Sequence, residues 1–189
     1  VIDLYTDYIP KEWRDILADI RQVAPGAIIA GGALRDLYNG VPVKDIDIFV
    51  PAHQDYPSTD RVLKTAQYVK GPTAIIHYHG PDPITSIEWT KYGRLPVSII
   101  VDPTPSLDLA WVQRFDFTTS QIIFDGGAVE MSRAFINDSL AKVFRYSPRA
   151  AQNDVARSKR RWARISQKYP GWTAEFPPEP PNPFDGILG

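Results

Sequence analysis

Apolar positions in residues 10–24, PKEWRDILADIRQVA, recur at helical spacing. Trp13, Ile16, Leu17, Ile20 and Val23 share one face behind a proline suited to a first turn. Pro25-Gly26 ends that helix. AIIA (27–30) is a short continuous apolar run that predicts a buried strand. GGALRDLYNG (31–40) then turns into a short helix closed by Asn39-Gly40. Residues 44–50, KDIDIFV, alternate strictly, with Asp45, Asp47 and Phe49 on one side and Ile46, Ile48 and Val50 on the other. That period of two predicts a strand with one packed face and one face carrying two acids.

The same reading predicts a helix over 59–69, strands over 73–79, 84–90 and 95–101, and a helix over 106–113. Residues 120–124 and 128–131 face each other across Asp125-Gly126-Gly127, a hairpin turn signal. After Ser132 the pattern is mostly helical, and 148–168 reads as a helix opened by Ser147-Pro148. Its apolar stripe is Ala151, Val155, Trp162 and Ile165. From Gly171 onward prolines dominate and an extended tail is expected. The fold class is therefore α/β (α+β): a small mixed sheet, helices packed on one side of it, and a C-terminal helical neck. The units expected are a first domain over 1–132, a neck over 133–170 and a tail over 171–189.

Composition narrows the chemistry. The absence of cysteine in 189 residues excludes disulfides, thiolate metal sites and a cysteine nucleophile, and three histidines leave little for a zinc enzyme. His77 and His79 alternate on a predicted strand without a third ligand nearby, so a bland reading is favoured. No run is long and apolar enough to span a bilayer and no charged-then-apolar leader is present, so the expectation is a soluble cytoplasmic protein without a membrane partner. The net charge of −1 conceals an asymmetry. Between Lys142 and Lys168 nine Lys or Arg face one acid, about +8, while the remaining chain carries about −9. A basic neck on an acidic body suits phosphates on one part and metal ions on the other. A merely solvated helix face has the same charge pattern.

Residues 31–50, GGALRDLYNGVPVKDIDIFV, concentrate the candidate chemistry. Gly31-Gly32 between a strand and a helix lets backbone amides approach an anion. Arg35, one turn into the helix, could grip phosphate oxygens. Asp45 and Asp47 project from one strand face, close enough to share divalent cations, and Mg²⁺ prefers carboxylates combined with phosphate oxygens. Lys44 could touch a phosphate or lie on the surface.

This stretch resembles the signature of the DNA polymerase β-like nucleotidyltransferase superfamily, in the form found in class II CCA-adding enzymes and bacterial poly(A) polymerases. Gly31, Gly32, Arg35, Asp36, Gly40, Asp45 and Asp47 match it. Arg114-Phe115-Asp116-Phe117-Thr118 is similar to the family's ribose motif, with Phe115 where the family has a second arginine. Asn153-Asp154-Val155-Ala156-Arg157 is similar to its base-reading motif, with Asn153 in place of glutamate. RFDFTTSQ also resembles the compact bacteriophage-type members.

The resemblance implies a two-metal nucleotidyl transfer. Asp45 and Asp47 would hold Mg²⁺ (or Mn²⁺), and Gly31, Gly32 and Arg35 would cradle a nucleoside triphosphate. Arg114 and Asp116 would orient the sugar, and Asp154 with Arg157 would read the base. The acceptor implied is an RNA 3′ end, tRNA-like, with the basic neck on its phosphates. Adenylylation of a protein or small molecule, or a catalytically inactive nucleotide- or RNA-binding module, are the alternatives. Glu88 and Asp102 are both candidates for a third metal-supporting acid. Trp162 could stack a base, but its place on the apolar stripe favours packing.

Overall fold

The computed structural model describes residues 6–22, 24–51, 74–79, 83–89, 95–150 and 155–178, with strands 74–79 and 83–89 described by their backbone. The helix expected over 59–69 lies outside the described residues, as do Ala151, Asn153 and Asp154.

Seven strands form one mixed sheet. They are β1 (Ile28–Ala30), β2 (Ile46–Pro51), β3 (Ala74–His79), β4 (Pro83–Trp89), β5 (Val97–Asp102), β6 (Ile122–Phe124) and β7 (Val129–Met131). Their order across the sheet is β3-β4-β5-β2-β1-β6-β7. β2 and β5 run parallel, and the other neighbouring pairs are antiparallel. The β6–β7 hairpin closes where expected: Asp125 Oδ1 accepts from the backbone N–H groups of Gly127 (2.8 Å) and Ala128 (2.7 Å).

The alternation read in the sequence decides what covers each face. Ile46, Ile48 and Val50 point with Ile29, Val97, Ile99, Ile122 and Phe124 into the main core. That core is closed by α1 (Lys11–Arg21), α2 (Gly32–Tyr38) and α4 (Arg133–Ala141) through Trp13, Leu17, Leu34 and Phe135. Helices do not, however, stay on one side. The short α3 (Leu109–Val112) lays Trp111 and Val112 on the opposite face, over Ile28, Ala30, Ile123 and Phe49. Asp45 and Asp47 share that second face.

The neck differs from the sequence expectation at both ends. Residues 148–150 form a turn, and Ser147 is no helix cap: its Oγ donates to the Gln113 carbonyl at 2.8 Å. A strand absent from the expectation, β8 (Val143–Arg145), precedes α5 (Val155–Ile165), and the proline-rich stretch opens with β9 (Thr173–Glu175). β8 and β9 pair in parallel, so the chain crosses through α5 and returns. The face of α5 with Trp162 and Ile165 packs on Phe117, Phe144 and Tyr169, an aromatic core with Trp172 and Phe176. Trp162 is 4.9 Å from Phe144, centroid to centroid, which confirms packing over base stacking.

One buried charge cluster joins this unit to the first. Asp36 Oδ1 accepts from Arg35 Nε (2.8 Å) and Nη2 (2.5 Å) and from the Tyr169 hydroxyl (2.7 Å). Asp36 Oδ2 accepts from Lys168 Nζ at 2.9 Å. Arg35 also reaches Ser120 Oγ at 3.3 Å and lies over the rings of Phe144 and Tyr169. Burial pushes the Tyr169 phenol well above its ordinary range, so it stays protonated and keeps donating. Removing the carboxylate would strand a buried guanidinium. Asp36→Asn should therefore cost about 3–5 kcal/mol in chemical denaturation, against about 1 kcal/mol for Tyr169→Phe.

Candidate active site

Among the described residues, α3 covers the second sheet face toward β1 and β6, and Asp45 and Asp47 lie on that face beyond Phe49. Parallel register sets Asp47 beside Ser98 on β5, and antiparallel register sets position 88 of β4 beside the same Ser98. Position 88 thus stands in one row with Asp47, two strands away. Asp102 pairs with Pro51 at the far end of β5. Its carboxylate accepts from the Thr104 N–H (2.8 Å) and from Arg114 Nη2 (3.3 Å). Of the two candidate third acids, Asp102 is therefore committed elsewhere, and the backbone register favours the position of Glu88. Among the described residues no three His, Cys, Asp or Glu side chains cluster as a metal site.

Asp47 carries the electrostatic signature of this face. Burial pushes its carboxyl up to about 6 and the neighbouring Asp45 pushes in the same direction, while the Arg161 charge opposes both. Two close acids that resist joint ionisation form the donor set that a hard divalent cation relieves, so the residues fit Mg²⁺ or Mn²⁺.

The glycine turn stands at the end of β1. Gly31 precedes α2 with φ of 79°, donates its N–H to the Ile122 carbonyl at 3.1 Å, and accepts from the Arg35 N–H at 3.0 Å. A β-carbon on Gly31 would fall 2.9 Å from Phe115 Cε2. Both the left-handed backbone and this close approach require glycine. Phe115 in turn meets Phe49 (5.7 Å) and Trp111 (5.1 Å). The aromatic ring where the family has an arginine thus fills a pocket beside the turn.

The structure gives several expected ligand-binding residues other partners. Arg35, expected at phosphates, is 5% exposed and directed to Asp36, Ser120 and Tyr169. Its three guanidinium nitrogens all have partners inside the protein, which is a positioning task. Asp116 is buried and accepts from Ser158 Oγ (3.2 Å) and Arg161 Nη1 (3.3 and 3.4 Å), both on α5. Its backbone carbonyl accepts from the Ser147 N–H at 2.8 Å. Arg114 leans over Trp111 toward Asp102 and Thr104. Arg157 is exposed on α5 and Gly32 half-buried beside Gly31. Asp154 lies outside the described residues. The sequence reading missed Tyr169 and Lys168, which are 134 and 132 residues from their partners and leave no local signal. Arg161 was visible only as one member of a basic run.

The raised acid sets a pH dependence. The folded protein holds the Asp47 proton more tightly than the unfolded chain, for which 3.8 is the ordinary value. Stability is then highest below that value and declines as pH rises through about 6. In metal-free thermal melts, Asp47→Asn should flatten this decline and leave the protein more stable than wild type above pH 7, by up to about 3 kcal/mol.

Comparison with solved structures finds the same fold in CCA-adding enzymes. The Thermotoga maritima CCA-adding enzyme complexed with tRNA matches with a TM-score of 0.60 and 19% identity, over 89% of this chain and 40% of that one. The Bacillus stearothermophilus enzyme in complex with CTP matches with a TM-score of 0.59 and 19% identity, over 88% of this chain and 42% of that one. A tRNA-processing enzyme matches with a TM-score of 0.60 and 19% identity, over 92% of this chain and 46% of that one. The chain thus spans less than half the length of these proteins, and the likeness shows the nucleotidyltransferase fold. No curated protein sequence matches the chain. The model of the Gabija anti-defense 2 family matches residues 3–142, about three quarters of the chain, and that stretch takes in the glycine turn, the aspartate pair and the Arg114–Thr118 run. On that match the chain belongs to the Gabija anti-defense 2 family.

Proposed function

We propose that this chain is a metal-dependent nucleotidyltransferase that moves an NMP from an NTP to an acceptor hydroxyl. The observation that carries the reading is the Asp45–Asp47 pair on the sheet face beyond the glycine turn, where burial and the second carboxylate push the Asp47 carboxyl up to about 6. Such a pair is poorly suited to a structural role and well suited to a cation. In the reaction the acceptor oxygen bonds to the α-phosphorus, the bond to the bridging oxygen breaks, pyrophosphate leaves, and the hydroxyl proton passes to solvent. Mg²⁺ or Mn²⁺, held by Asp45 and Asp47 with Glu88 as the third acid, would supply charge neutralisation and hydroxyl activation.

The chain's own residues supply position. Gly31 and Gly32 leave backbone room for the triphosphate. Arg114 and Asp116 would flank the sugar, and Asp154 together with Arg157 of α5 would read the base. An RNA 3′ end is the acceptor that the basic neck favours. Arg157, Arg160 and Arg164 are exposed on α5, away from the Trp162–Ile165 face, and Arg161 lies at the edge of that face against Asp116. The fold likeness to a tRNA-bound CCA-adding enzyme supports the same acceptor class.

The family match favours a second reading, in which the acceptor hydroxyl belongs to a protein of the Gabija defence system and nucleotide transfer disables it. Both readings share one chemistry. Incubation with Mg²⁺ and each labelled NTP, with RNA or with the defence proteins as acceptor, tells them apart. Label should enter one acceptor, and Asp47→Asn should lower incorporation at least ~100-fold. Incorporation unchanged in that variant would sink the assignment.

RNA binding measured across a salt series tests the acceptor independently. Each phosphate contact contributes about −0.7 to the slope of log affinity against log salt. The double variant Arg160→Gln, Arg164→Gln should flatten the slope by about 1.4 if both side chains touch RNA. An equally shallow slope in both proteins would make the defence protein the leading acceptor.

A further inference from the structure

A bound triphosphate brings about four negative charges to a face that already holds two aspartates, so the site needs a cation aimed at it. The guanidinium expected to serve, Arg35, is turned into the protein and fixed by Asp36. Arg114 is drawn toward Asp102 at the far end of β5. Arg161 is placed differently. Its side chain is 44% exposed, and it reaches the buried Asp116 through one nitrogen at 3.3 and 3.4 Å. Those are long contacts for a charged pair, in which a two-nitrogen fork at 2.7–2.9 Å is the strong arrangement.

Where Arg161 lands matters more. Asp116 directly follows Phe115, whose ring lies against Gly31 and Phe49. Phe49 shares its strand face with Asp47, two residues away. The α5 helix therefore brings a guanidinium to Asp116, one residue from the ring that lies between the glycine turn and Phe49. Ser158, one turn earlier on the same helix face, donates to the same Asp116 carboxylate and fixes the helix rotation that aims Arg161 there.

We propose that Arg161 is the triphosphate-contacting cation of this site, resting on Asp116 in this structure and turning to the β- and γ-phosphates of a bound NTP. The inference rests on the nucleotidyltransferase reading and goes beyond it, because it moves the phosphate grip from the glycine helix to the neck. It also gives Asp116 a task besides the sugar, as the counter-ion that holds the guanidinium in reach.

Calorimetric titration with ATP, tripolyphosphate and AMP in Mg²⁺ tests it, on wild type and the variants Arg161→Gln, Arg161→Lys, Arg133→Gln and Lys44→Gln. Arg161→Gln should weaken ATP and tripolyphosphate about 10- to 100-fold and leave AMP within about twofold. Arg161→Lys, which keeps the charge without the fork, should fall between, and Arg133→Gln, exposed on α4, should match wild type. The proposal is overturned if ATP binds Arg161→Gln as it binds wild type. It is equally overturned if ATP and AMP weaken together, which marks a structural role through Asp116, or if Lys44→Gln alone produces the loss. Wild-type protein that binds none of the three nucleotides or phosphates overturns the nucleotidyltransferase reading as well, an outcome separate from all the others. Should Arg161→Gln fail to melt cooperatively, the lysine variant carries the test: equal ATP and AMP affinities to wild type in that variant reject a forked phosphate grip.

Discussion

A guanidinium removed from water must find a carboxylate, and in this fold the requirement ties two distant parts of the chain together. Arg35 sits in the short α2 helix directly behind the glycine turn, and its partner Asp36 is the next residue. That pair is incomplete alone, because the carboxylate has acceptor capacity left over. Tyr169 and Lys168 fill it from the end of the neck. The angle between α5 and the sheet is thereby set by groups that cannot separate without exposing a buried charge. The aromatic ring of Phe144, stacked under Arg35 and against Trp162, transmits the constraint into the helix itself. The positions of Ser158 and Arg161 over Asp116 follow from it.

The acid pair imposes the opposite condition. Where Asp36 is surrounded by donors, Asp47 meets burial and a like charge, and only the more distant Arg161 offsets them. Evolution of a packed sheet would replace such a residue with serine or an apolar side chain, as at Ser98 and Ile100 on the neighbouring strand. Its presence argues that the local cost in stability is offset by something bound. The two carboxylates, eleven positions apart in sequence, thus stand in opposite surroundings, one fully paired and one disfavoured as a charge.

Much of this was legible from periodicity. The alternation of KDIDIFV fixed which residues enter the core and which share a face with Asp47, and the structure agrees from Ile46 to Val50. The Gly31 turn was equally readable, since a glycine pair between a strand and a helix has few alternatives. Three features were not. β8 and β9 are three residues each and acquire their stability from pairing with one another across α5, which no local window contains. Ser147-Pro148 has the composition of a helix start, yet Ser147 is drawn instead to Gln113 and Gln121. Arg35 looked like a phosphate ligand because its spacing from the glycines is correct. Its burial depends on Tyr169, and long-range partners are invisible to spacing.

Phe115 shows how one departure from a family pattern propagates. An arginine there would bring a charge beside Gly31, but the observed ring closes an aromatic cluster with Phe49 and Trp111. The cluster lays apolar surface beside the strand of the acid pair, and apolar surroundings raise the energetic weight of any charge that reaches them. A cation supplied from outside the cluster must then come from an element that can approach over its edge. The neck helix meets that condition because its Trp162–Ile165 face is anchored in a separate core, which leaves Arg161 at the edge of that face against Asp116. The apolar substitution in the first unit and the basic character of the second are in this sense parts of one arrangement.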